Sequence, residues 1–183
     1  MDIQIYHVLA FIHLISLVVG FGAVIVVDTF GLLWVLKKVS LQTVNQTANI
    51  TQRLIWLGWL GLVISGTTLV VMRGSVSNIT MVKIFFVAML GVNGILLHLI
   101  KKNFDKLVDM EHIPAIYKFR ITLASTISQL GWWGAIVIGF LNTKFRGQIP
   151  QPENPWFYMV GIVLVFGIVF MLGETFLKKD KSA

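Results

Sequence analysis

His13 stands in the run FIHLISLVVG and Lys83 in ITMVKIFFVAML, both surrounded by apolar residues. An imidazole inside such a run can ligate a metal or carry a proton, and an amine can ligate or hold an anion. Four more groups stand in similar surroundings: His7, Asp28, His98 and Glu174. At about 1.5 Å of rise per residue they sort into two layers. His7, His13 and Lys83 fall near one end of the apolar segments, and Asp28, His98 and Glu174 near the other. Arg53 and Arg120 stand at the adjoining segment starts.

Each layer admits two readings. In the second, Asp28 with Arg53 and Glu174 with Arg120 can be interfacial ion pairs, with His98 reaching the lipid headgroups. The same three residues Asp28, His98 and Glu174 can also form a proton relay or an inner metal site, since imidazole and carboxylate serve both purposes. In the first layer, His7 lies a turn or so into its helix, where interfacial histidines are common, and Lys83 is shallow enough to snorkel to the headgroups. His13 lies about 13 Å along the helix, too deep to do so comfortably. His7 and His13 point about 120° apart on one helix and do not easily share a metal. Haem suits these groups best, because apolar bundles hold it by neutral imidazole and facing helices supply its two axial donors. His112, beside Glu111 in a polar stretch, reads as solvated.

The elements that position these residues follow from composition. Of 183 residues, 56% are hydrophobic and 13% charged, against about 25% charged in soluble domains. The chain therefore reads as an integral membrane protein, with residues 1–183 forming one transmembrane domain. Five segments are long enough to cross a hydrocarbon core of about 30 Å: Ile3–Leu36, Leu54–Met72, Ile79–Ile100, Ile121–Leu141 and Trp156–Leu177. The expected fold is all-α, a bundle of five transmembrane helices. The first segment lacks the basic flank and cleavage site of a signal peptide and reads as a retained helix. With no cysteine, thiolate metal sites, iron–sulfur clusters and covalent haem attachment are excluded.

Charge sets the expected direction. Lys37, Lys38, Arg53, Lys101, Lys102, Lys106, Lys118, Arg120, Lys178, Lys179 and Lys181 fall on one side, and Arg73, Lys83, Lys144 and Arg146 on the other. The positive-inside rule then places the N-terminus outside and the C-terminus in the cytoplasm. The net charge of +7 is thereby accounted for by topology and anionic lipid, and no nucleic-acid partner is expected.

One internal similarity bears on architecture. LGWLGLVISG (57–66) and LGWWGAIVIG (130–139) share most positions. With IKK ending the third segment and LKK the fifth, they suggest parallel hairpin repeats of helices two–three and four–five, with helix one added in front. In that alignment Lys83 falls opposite Met159 and His98 opposite Glu174.

The stretches FIHLISLVVGFG (11–22), LVISGTTLVVMRG (62–74) and ITMVKIFFVAMLGVN (79–93) together resemble a broad group of small bacterial polytopic membrane proteins. It includes the CopD-like copper-resistance domains and the HemJ-type protoporphyrinogen oxidases. The resemblance covers helices one to three. It implies that His13 and Lys83 match the HemJ-type histidine and lysine associated with b-type haem. Where the HemJ type has a further histidine soon after the lysine, this chain has Asn93, with His98 later. No Met/His cluster suited to copper stands out.

The expected function is thus a b-type haem-binding protein of the bacterial inner membrane with a redox role, either tetrapyrrole oxidation or electron transfer. His13 would be an axial ligand, Lys83 the second ligand or the partner of a haem propionate, and His7 a further cofactor-binding residue. Expected partners are the lipid bilayer, a tetrapyrrole or quinone, and a homodimer or membrane complex. An ion or metal transporter using Asp28, His98 and Glu174, and a non-catalytic accessory subunit, are the alternatives.

Overall fold

The computed structural model describes residues 3–104, 114–145, 148 and 150–179, without the side chains of 101–104 and 178–179. His112, Glu111 and Arg146 lie outside the described residues. Among those described there are five α-helices and no strand: α1 (Ile3–Val35), α2 (Leu41–Arg73), α3 (Asn78–Phe104), α4 (Ala115–Lys144) and α5 (Pro155–Lys179). Each is long and apolar enough to cross a membrane. Large apolar side chains point outward, Phe157 being 80% and Val71 72% exposed. That is the arrangement hydrocarbon solvent favours, since apolar side chains gain nothing by leaving it.

The helices are longer than the apolar segments alone. The polar stretch LQTVNQTANITQR (41–53), expected as a connection, is the first part of α2. Ser40 starts it by accepting the Thr43 N–H at 3.2 Å. Thr47 and Thr51 then return their hydroxyls to carbonyls one turn back. Local hydrogen bonding thus carries the helix past the border of the apolar run. At its far end Gly74, at φ 69°, turns the chain in the left-handed region and donates to Val71 O. Between α1 and α2 it is Lys37, at φ 58°, that takes this conformation. Lys37 N–H bonds Trp34 O and Lys38 N–H bonds Leu33 O, the paired contacts of a Schellman ending.

The chain divides into two compact units, residues 1–76 and 77–183. The first is the hairpin α1–α2. Its seam is made of small residues. A Cβ on Gly58 would overlap the backbone of Gly20, and one on Gly61 would overlap the Ser16 side chain. At one end Arg73 donates to the Tyr6 hydroxyl at 2.8 Å.

In the second unit α4 packs chiefly on α3, and α5 touches both. A Cβ on Gly131 of α4 would overlap the Leu90 side chain of α3, and one on Gly134 would overlap the Phe86 ring. The buried Asn93 reaches across from α3 to donate to Ala124 O at 2.8 Å. The tight antiparallel pairs are therefore α1–α2 and α3–α4. This groups the helices differently from the hairpins two–three and four–five read in the sequence.

The two pairs use the same contact pattern. In the first, Gly58, Gly61 and Gly66 receive Gly20, Ser16 and His13. In the second, Gly131, Gly134 and Gly139 receive Leu90, Phe86 and Lys83. The spacings on α1 and α3 are identical, as are those on α2 and α4. His13 and Lys83 thus hold equivalent places, each over the third glycine of its own hairpin.

Filling the first seam is expected to be costly. Gly58→Ala should destabilise the protein by about 1–3 kcal/mol, the usual cost of overpacking. Gly22→Ala, where nothing lies within 4 Å, should change stability by no more than about 0.5 kcal/mol. Unfolding in mixed micelles, followed by circular dichroism, measures both.

Candidate functional site

The deepest of the sequence-selected groups has the best-defined setting. His13 is half-buried on α1, and its ring lies over Gly66 of α2, with Cε1 3.2 Å from where a Cβ would stand. Its Nδ1 is 2.9 Å from Oγ of Ser65, a residue only 2% exposed. Ser65 Oγ is in turn 2.5 Å from Gly61 O.

These contacts set the hydrogen on one nitrogen of the ring. A carbonyl oxygen only accepts, and two oxygens this close must share a hydrogen, so the Ser65 hydroxyl donates to Gly61 O. A hydroxyl has one hydrogen. Ser65 therefore accepts from His13, and Nδ1 carries the N–H. In its neutral form the ring then has its lone pair on Nε2. Fixing one ring nitrogen by a hydrogen bond so that the other becomes the basic one is how metal-binding histidines are commonly oriented.

Ser65 was not among the residues first singled out for chemistry. Its signal was the small-residue face formed with Gly58 and Gly61. That face brings α1 close, and a hydroxyl on it then meets whatever polar group the partner helix carries.

Lys83 is half-buried in the second unit, on α3. Its side chain runs along Gly139 of α4, with Nζ 3.3 Å from where a Cβ would stand. One turn earlier, Thr80 accepts from Asn142 of α4 at 3.2 Å. The α3 start is further tied to the stretch before α5, where Asn78 donates to Pro152 O and Gln151 accepts the Ile79 N–H. His7 is exposed and turned back on its own helix, Nδ1 donating to Ile3 O at 2.6 Å. It packs edge-on against Tyr6.

The other layer resolves into separate settings. Arg120 grips Glu174 with two hydrogen bonds, Nε to Oε1 at 2.6 Å and Nη2 to Oε2 at 2.9 Å. The guanidinium also lies over the Tyr117 ring at 5.7 Å. Beside the pair, Phe119 fills the space over Gly173, so α4 and α5 are joined by charge and packing together. The ion-pair expectation holds for Arg120 and Glu174. It does not hold for Arg53, which is exposed and makes no ion pair among the described residues. Asp28 is half-buried on α1, and His98 is exposed on α3. Within neither unit do three His, Asp or Glu side chains of the described residues converge to hold a metal ion.

No protein-family model, curated protein or solved structure matches this chain.

The Arg120–Glu174 pair has a testable weight. The two side chains are 29% and 13% exposed, between a surface pair and a buried one. Arg120→Gln leaves Glu174 without its cation and should cost about 1–3 kcal/mol of stability. The swap Arg120→Glu with Glu174→Arg should recover part of that loss, measured by the same micelle unfolding.

Proposed function

We propose that this protein is a b-type haem-binding membrane protein with a redox role, oriented with its N-terminus outside and its C-terminus in the cytoplasm. The observation that carries the reading is the hydrogen-bond chain His13–Ser65–Gly61, which places the imidazole lone pair on Nε2. That is the nitrogen with which a histidine of this tautomer ligates iron. Gly66, lying against the ring, leaves the imidazole room that any larger residue would take.

Lys83 stands over Gly139 in the second unit as His13 stands over Gly66 in the first. Internal duplication of the hairpin accounts for that equivalence, with the two copies carrying different donors. A bound haem would supply one-electron chemistry, serving either tetrapyrrole oxidation or electron transfer. The chain's own part would be to hold and orient the imidazole and to exclude water from it. The transporter reading draws less support, because both oxygens of Glu174 are taken by Arg120.

The test is an absorption spectrum of protein purified after expression with ample haem. A Soret band is expected, and His13→Ala should abolish it. Ser65→Ala leaves the ring nitrogen without its acceptor, and haem retention should fall about tenfold or more. A purified, folded protein with no Soret band overturns the proposal.

A further inference from the structure

Arg53 stands where α2 changes from polar to apolar, and it is the first charged residue of that helix, with no other until Arg73. The residue is exposed and has no ion-pair partner among the described residues. Together with Asn49, Gln52, Trp56, Leu57 and Leu60 it lines an open groove of about 650 Å³. These positions follow the three- and four-residue steps of one helical face and span about 16 Å along the axis.

Polarity changes in one direction along that face. Two carboxamides and the guanidinium occupy its first half, and Trp56, Leu57 and Leu60 its second. Trp56 packs edge-on against Trp59 with ring centres 5.5 Å apart, and tryptophans concentrate at the headgroup level of membranes. A soluble anion would use only the first half of such a groove, and an uncharged lipid would leave the guanidinium uncompensated.

We propose that this face of α2 binds an anionic phospholipid. The phosphodiester sits on the Arg53 guanidinium, whose planar donors match phosphate oxygens. Headgroup oxygens meet Asn49 and Gln52, and an acyl chain lies along Leu57 and Leu60. The inference depends on α2 crossing the membrane and is independent of haem.

Native mass spectrometry of the purified full-length chain, titrated with phosphatidylglycerol and phosphatidylcholine of matched chains, tests it. Phosphatidylglycerol should bind about fivefold more tightly, the effect of one basic residue near an anionic surface. Arg53→Gln should remove that preference, whereas Lys38→Gln, at another exposed cation, should keep it. A brominated-chain phosphatidylglycerol should quench less fluorescence in Trp56→Phe than in the wild type. Equal binding of the two lipids, an unchanged preference in Arg53→Gln, or equal loss in both charge variants would overturn the proposal. So would displacement of the lipid by millimolar inorganic phosphate, since the apolar half would then contribute nothing.

Discussion

The backbone-to-backbone approach of α2 on α1, at Gly58 and Gly20, is the constraint on which the rest of the first hairpin depends. Between apolar helices in lipid there is no hydrophobic gain from association, so attraction comes from close van der Waals contact and interhelical hydrogen bonds. Both need short separations. Once Gly58 sets the distance, Ser65, two turns further along the same face, comes within 2.9 Å of His13. The tautomer of the histidine is thus a consequence of a glycine far from it in sequence.

The second unit answers the same constraint with different residues. Its glycines on α4 receive large side chains, Leu90 and Phe86, where the first hairpin receives Gly20 and Ser16. Those helices accordingly add polar ties of greater reach: the Asn93 carboxamide across to α4, and the two-pronged Arg120–Glu174 contact across to α5. In surroundings with little water each such group must find a protein partner, because the unpaired alternative is costly. The polar residues inside the apolar segments are therefore as much a means of assembly as a source of chemistry, and Glu174 serves the former.

Much of the architecture was legible beforehand. Five apolar runs yield five helices, and their ends agree within a few residues, save that α4 starts at Ala115 rather than Ile121 and α2 at Leu41 rather than Leu54. There, serine and threonine side chains satisfy backbone groups and extend the helix through a polar stretch that hydropathy alone reads as a connection. The similarity of residues 57–66 to 130–139 was also visible, and its meaning changed. Sequence matching joined each copy to the helix after it, whereas the glycines of both copies pack on the helix before. A linear alignment sees the repeated motif but not the face it presents.

The candidate site divides along the same line. Composition and spacing determined that the chain is a helical membrane protein, that His13 lies deep in an apolar helix, and that Lys83 stands near the start of another. Those facts follow from residue type and rise per residue. Only the tertiary structure decided that Ser65 is a partner of His13, that Arg120 engages Glu174, and that Arg53 has no such pair among the described residues. Hydrogen bonds between helices depend on rotation and separation of a few ångströms, and these are set by side-chain packing that no single helix carries in its own sequence.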